Sequence, residues 1–420
     1  MSGRAHAQRG VAALTVTALL LLAMLIVVTS TQRSVGVETR ASANQLRSSQ
    51  AFEAAEAGLE WALARLNDDA RLGDDCLPSS AAGARSLRER VLVHDAALPG
   101  FRPATWNDAG TVRVQLVACQ LGDPGWSCSC PGGGVPILPM PSPGAPTTAS
   151  FSVAFSPGPR PDMVGVRATG CSEPGVCLGS ASTGHDATAA VQVGFGLLPG
   201  LRSAPVAALT VRGNVDAGTA RLDIENGDAA VGGVAIHAGG RIDGASLRLF
   251  APPGASLAAS LVSGDGGLAE LSADRFFARW FGMTMAAWSA QPAVMRIACA
   301  ADCTAALQAA IADGHRLLAI AGDATVRGAV ELGRGDRPVV IVVAGTLRLE
   351  GDIKASGVMY AGAIEWRRAS SAGSIHGAAI SEAGYTGDAE ASIVRDAAVL
   401  AALRSGTGTF ARIGGSWKDF

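Results

Sequence analysis

Residues 10–31 read GVAALTVTALLLLAMLIVVTST, and residues 50–60 read QAFEAAEAGLE. The first stretch carries no charge, and about 20 apolar residues suffice to cross a bilayer as a helix. No proline occurs before Pro78, so no imide ring interrupts a helix between the two stretches. Around the second, Phe52, Ala55, Leu59, Leu63 and Leu66 recur at helical spacing, with Glu53, Glu56 and Glu60 on the other side. The pattern predicts one helix from about Val11 to Asn67, roughly 80 Å long at 1.5 Å per residue. Its first half (transmembrane, 11–31) suits lipid, and its second half (38–67) is amphipathic. An anchor followed by a separate core helix is the alternative, and a cleaved secretory signal is another. Arg4 and Arg9 precede the span, which favours a cytoplasmic N-terminus. Arg33, Arg40 and Arg47 follow it, so charge orients it only weakly.

Composition narrows the rest. Of 420 residues, 17% are charged and 48% hydrophobic, with a net charge of −2. Charge lies below the roughly 25% usual for soluble domains. That excludes a largely disordered, highly charged chain and a basic nucleic-acid binder, so no nucleic-acid partner is expected. Aromatics are only 5% and glycines number 53, so the apolar excess is small, aliphatic and tightly turned.

After the helix, runs at 111–119, 149–155, 163–170 and 187–197 alternate apolar and polar residues. Four such runs predict an antiparallel sheet whose dry face packs on the amphipathic half of the helix. The Pro/Gly-rich segment 131–148 reads as a loop. All eight cysteines follow the apolar span: Cys76, Cys119, Cys128, Cys130, Cys171, Cys177, Cys299 and Cys303. An even count beyond a membrane span favours disulfides. Cys171 with Cys177, and Cys299 with Cys303, are candidate local bridges; the other pairings stay open. Zinc at Cys119, Cys128 and Cys130 is the competing reading. It lacks CxxC pairs and a suitably spaced histidine, so no metal or cofactor is expected.

In the C-terminal half, Ala-Gly closes hydrophobic runs at Ala238-Gly239, Ala321-Gly322, Ala344-Gly345, Ala361-Gly362 and Ala383-Gly384. A period near 20 residues with small residues at turns is a solenoid signature, and short strands with glycine corners suggest a parallel β-helix. A β-sandwich with glycine-rich hairpins is the alternative. Residues 270–316 interrupt the repeat with two helical stretches. Their aromatics, Phe276, Phe277, Trp280, Phe281 and Trp288, read as the cap of an open core or as a partner surface. The predicted domains are a leader (1–10), the helix (11–75), a sheet domain (76–200) and a β-helix-like domain (201–420).

Catalytic patterns are sparse. Neither lysine follows a glycine, which excludes a P-loop, and no G-x-S-x-G elbow occurs. The six histidines are scattered. Asp323, Asp336 and Asp352 sit beside Gly or Arg, as turn residues do. No enzyme activity and no catalytic residue is expected.

Gln8-Arg9-Gly10 followed by Val11-Ala12-Ala13-Leu14 resembles a class III type IV prepilin junction. Residues 50–60 resemble the N-terminal region of the PilX family of type IV pilus minor pilins. Phe276 to Met283, Cys299/Cys303, Pro338 to Gly345 and Gly415 to Phe420 resemble the C-terminal region of large PilX-like pilus assembly proteins. The resemblance implies cleavage after Gly10 by a prepilin peptidase and N-methylation of Val11. It implies that Leu14, Thr15, Phe52 and Leu59 serve fibre packing. Most pilins carry glutamate at the fifth mature position, where this chain has Thr15. In the family that carboxylate neutralises a neighbouring amine, so its absence suits a tip or initiating subunit, as in the GspK family of pseudopilins.

The expected fold class is therefore α+β: a long N-terminal helix, a pilin-like antiparallel sheet, and a mainly β, β-helix-like C-terminal domain. The implied function is a structural minor pilin of a type IV pilus. Its implied partners are other major and minor pilins, the prepilin peptidase and, before assembly, the inner membrane. The resemblance implies a periplasmic and then extracellular head that contacts surfaces, with adhesion and twitching motility as the associated functions. The alternative is a membrane-anchored periplasmic β-helix glycan-binding protein or polysaccharide-active enzyme.

Overall fold

The computed structural model describes residues 9–95, 98–123, 125–137, 148–173, 177, 187–367 and 373–419. Helix α1 runs unbroken over Arg9–Leu66. From Ala13 to Leu46 it is exposed throughout, whereas Ala51, Ala54, Ala55, Leu59, Ala62 and Leu66 are buried. These six lie on one face at helical spacing, and they pack on an antiparallel sheet.

The sheet runs in the order Gly408–Arg412, Thr188–Pro199, Met163–Cys171, Ser150–Pro157, Leu116–Leu121 and Trp126–Ser129. Its strand 163–171 comes so close to α1 that a Cβ on Gly170 would collide with the Ala51 carbonyl and the Ala55 amide. Glycine is required there because backbone meets backbone. The alternating run 111–119 is not one strand. Thr111–Val114 pairs with Thr105–Asp108 in an exposed hairpin, and only Leu116–Leu121 joins the sheet. The hairpin satisfies its own ladder, and Asn107 Oδ1 accepts the Gly110 amide at its turn. Within the expected Pro/Gly loop, 131–137 form no regular element, and 138–147 lie outside the described residues.

The C-terminal strands stack in parallel as a three-rowed β-helix, not a sandwich. One row aligns Val294, Leu317, Val340, Val358 and Ala378, a step of roughly 20 residues. A second joins 242–243, 214–216, 384–388, 364–367, 346–350 and 324–327. A third joins 247–250, 222–225, 391–395, 373–377, 353–355 and 330–332. The Ala-Gly pairs mark the corner between the first and second rows. A Cβ on Gly362 there would sit 2.8 Å from the Ala344 carbonyl and 2.9 Å from that of Gly345, in the coil beneath. The interior is mostly aliphatic (Leu318, Ile320, Ile341, Val343, Leu347, Leu349, Ile353, Ile364, Ile375 and Ile393), with Trp366 and Tyr385 buried among them.

Stacking does not follow the chain. Along the first row the order is 261–262, 236–238, 209–211, 379–381, 358–361, 340–343, 317–320 and 294–296. The chain enters in the middle at Leu209 and builds outward to Val262. It then crosses to the far end at Val294 and builds back until Ala379 lies beside Leu209. After α1 and the short α2 (Leu87–Val91) of the first domain, the crossing uses α3 (Gly266–Ala269), α4 (Ala273–Phe281) and α5 (Met285–Ser289). Thus 270–316 is not one helical insertion, since Val294–Arg296 is a coil strand preceding α6 (Thr304–Ala312).

The first row is buried on both sides, which explains its continuous apolar run VVIVV at 339–343. Ile341 and Val343 point inward, while Val340, Val342, Val358, Tyr360 and Ile380 lie under the helices. Phe276, Phe277, Trp280, Phe281 and Trp288 are all buried on this outer side, joined by Leu400 and Leu403 of α7 (Ala397–Gly406). The aromatics therefore roof a sheet rather than plug the end of an open core. Phe277, Phe281 and Trp288 pack on one another, and Phe277 and Phe281 also on Tyr360, with ring centroids 4.2–6.2 Å apart.

The entire β-helix is inserted between two adjacent strands of the first sheet. Strand 188–199 leads into it, and after α7 the chain returns as 408–412, with Gly408 opposite Pro199. Lys418–Asp419 pairs with the same strand. The C-terminal residues 408–419 therefore belong with the first sheet, not with a domain running from 201 to the end.

Candidate fibre-assembly segment

The apolar half of α1 is the one large hydrophobic surface that the protein leaves bare among its described residues. Its most apolar window has mean hydropathy 2.5 and is uncovered by any other element. Hydroxyls within it turn back on the helix. Thr17 Oγ1 donates to the Ala13 and Leu14 carbonyls, Thr29 Oγ1 to Leu25 and Ile26, and Thr31 Oγ1 to Val27. Such bonds let hydroxyls sit in lipid without an unmet donor.

Gly10 and Val11 lie within α1, two turns before the exposed stretch is fully apolar. Residues 1–8 of the expected leader lie outside the described residues. Leu14 is 70% exposed, and Thr15 is exposed beside it, so both are open to a neighbouring helix or to lipid. Leu59 differs: it is 1% exposed and lies in the core beneath the sheet. It is therefore used inside the head and is not available to a neighbouring subunit. Phe52 is half-buried and packs at the margin of the same core.

The end of α1 is held with unusual care. Arg88 is buried and donates from Nε and Nη2 to the Leu66 carbonyl at 2.9 and 2.7 Å. Its Nη2 also reaches the Gly408 carbonyl at 2.7 Å, and its guanidinium lies 5.0 Å from the Phe410 ring centroid. A cation at a helix C-terminus meets the negative end of the helix dipole. Burial nevertheless holds the Arg88 pKa below its ordinary value, opposed by Asp69 and Glu89. One residue past the helix, Asn67 Nδ2 donates to the Phe410 carbonyl and Asn67 Oδ1 accepts the Phe410 amide. This side chain imitates a strand partner, tying α1 to the strand that closes the β-helix insertion. Arg412 adds an ion pair to Glu60 on the exposed side of α1, with Nη2 2.5 Å from Oε1. Residues 408–412 (GTFAR) do not alternate, so no sequence pattern marks that strand. Nothing local marks Asn67 or Arg88.

All eight cysteines are paired: Cys76–Cys130, Cys119–Cys128, Cys171–Cys177 and Cys299–Cys303. Cys119, Cys128 and Cys130 are thereby committed to bridges, which leaves no thiolate set for zinc. Among the carboxylates that invited a catalytic reading, Asp323 accepts the Thr346 amide and pairs with Arg348, and Asp336 pairs with Arg334. These bonds knit turns and neighbouring coils.

Residues 9–60 match the family model described as PilX N-terminal. No curated protein matches the chain. Among solved structures, the competence-associated pilin ComZ from Thermus thermophilus is similar at 11% identity. The alignment covers 89% of this chain and 97% of that one, with a TM-score of 0.23, a likeness too slight to carry weight. The matched region coincides with the apolar span and most of the sheet-bound half of α1. The PilX-like likeness therefore lies in residues 9–60.

Proposed function

We propose that this chain is a minor pilin that is cut after Gly10, methylated on Val11 and assembled into a type IV pilus at its tip or as its initiator. One observation carries the reading. A single helix is bare and apolar over its first half and locked to a folded head over its second. Before assembly the bare half rests in the inner membrane, and in the fibre it packs among the helices of other pilins. In either setting the driving contacts are small and apolar side chains at close range.

Two features favour the tip. Thr15 supplies no carboxylate to neutralise a buried N-terminal amine, and an unpaired buried charge is costly. The β-helix inserted between residues 199 and 408 makes a head far larger than its sheet, which suits an end position better than a packed shaft. In this reading the chain works by assembly rather than catalysis. Intact-mass and N-terminal peptide mass spectrometry on protein from its native membrane tests the core of it. A mature chain starting at methylated Val11 is the expected result. An uncut N-terminus, or cleavage near residue 30, overturns it.

A further inference from the structure

A cavity of about 370 Å³ opens between the first domain and the β-helix, where the C-terminus of α6 meets the segment after α1. Its polar lining is dominated by Arg71, His315, Arg316, Arg334 and Arg337, with Glu331 as the opposing carboxylate. Gly314 lets the two segments meet. It adopts φ +109°, and a Cβ there would collide with the Asp69 carbonyl at 2.6 Å, with Arg71 Cγ (3.4 Å) and Arg337 Nη2 (3.7 Å) at ordinary contact distance.

Not all of this charge is balanced internally. Arg334 pairs with Asp336, and Arg337 pairs with Glu89 at 3.0 Å. Arg316 donates to the carbonyls of Pro338 and Gly406, which are neutral acceptors. The Arg71 Nε is buried with no hydrogen-bond partner, and such an orphaned donor is expensive. Burial, with Arg337 and Arg88 nearby, pulls the Arg316 pKa down to about 10, against the pull of Asp69. Arginines forced together in this way form a fork-shaped donor set suited to planar or tetrahedral oxyanions. The volume exceeds that of a bare oxyanion.

We propose that this cavity binds an oxyanion, phosphate or carboxylate, carried on a sugar-sized group. The site lies in the head and does not depend on the fibre reading. An acidic saccharide would present its charged group to Arg71 and Arg316 while its ring fills the remaining space against Ile311 and Val339.

Isothermal titration of the full-length protein in neutral detergent tests this with glucose 6-phosphate, glucuronate, inorganic phosphate and glucose. At least one charged sugar is expected to bind with Kd below about 1 mM, more tightly than either inorganic phosphate or glucose. Arg71→Gln combined with Arg334→Gln should weaken that binding at least about tenfold. Glu331→Gln should tighten it, since it removes the opposing charge from the lining. The proposal is overturned if neither charged sugar binds, or if inorganic phosphate or glucose binds as well as they do. It is also overturned if the double variant folds with unchanged affinity. Should the double variant fail to fold, weaker binding by Glu331→Gln overturns it alone.

Discussion

Arg395 Nη1 lies 2.7 Å from Asp228 Oδ2, and Arg395 Nε donates to the Pro205 carbonyl at 2.8 Å. The two residues sit on coils far apart in the chain that stack directly, since strand 222–225 pairs with 391–395. Arg395 therefore latches the returning arm of the β-helix onto its founding coil. Its side chain is 5% exposed and that of Asp228 is 25%. Breaking such a pair leaves a buried charge uncompensated. Asp228→Asn should lower stability by about 3 kcal/mol, read by urea unfolding. Combining it with Arg395→Met should cost less than the sum of the two single changes. Strict additivity would show that the latch contributes nothing.

Contact between α1 and the sheet depends on Gly170. Gly170→Ala would drive a methyl into the backbone of Ala51 and Ala55, costing about 2–3 kcal/mol by overpacking. Gly36→Ala has no neighbour within 4 Å and should leave the melting of the head unchanged. Thermal denaturation of both variants in detergent separates a packing effect from a helix-propensity effect.

The disulfides should differ in weight according to the chain they close. Cys76–Cys130 spans 54 residues and Cys299–Cys303 spans 4. The loop-entropy relation gives about 4 kcal/mol for the first and about 2 kcal/mol for the second. Paired serine replacements should reproduce that order in chemical unfolding. The reverse order would place the stabilisation outside chain entropy.

Acid should weaken the head through its bonded carboxylates. Asp265 is held below its ordinary 3.8 chiefly by its hydrogen bond with His237, and Asp323 chiefly by the Thr346 amide, then by Arg348. A depressed carboxylate contributes stability that is fully present above the unfolded value of 3.8 and is lost as pH falls through the lower folded value. The melting temperature should therefore begin to drop near pH 4 and keep falling below it. Asp323→Asn should flatten part of that decline.

If Thr15 restricts the chain to the fibre end, Thr15→Glu should relax the restriction. Immunogold labelling of fibres should then show label along the shaft as well as at tips. Label confined to one end in both proteins would move the cause to the bulk of the head.

Helix α1 was legible in the sequence because its evidence is local. An uncharged span, the absence of proline and a stripe at Ala55, Leu59 and Leu66 all act within a few turns. The repeat was legible for the same reason: the corners at Gly239, Gly345 and Gly362 need a residue small enough to pass the backbone of the next coil. The PilX-like segment rests on these local patterns as well. Residue 115 shows the limit. The run 111–119 alternates from Val112 to Leu116, yet Thr111–Val114 forms a separate hairpin, because alternation records a strand and not its partner.

Tertiary structure decided the order in which like meets like. Aliphatic rows such as 317–320, 340–343 and 378–380 offer similar surfaces and the same ladder of backbone bonds, so strand pattern alone does not say which coils touch. Stacking 379–381 on 209–211, and placing 408–412 beside 188–199, required non-local bonds from Arg395 to Asp228 and from Asn67 to Phe410. Those polar contacts specify geometry that apolar burial, being non-directional, leaves degenerate. The cationic cavity arises the same way, from residues at 71, 316, 334 and 337 that only the folded interface brings together.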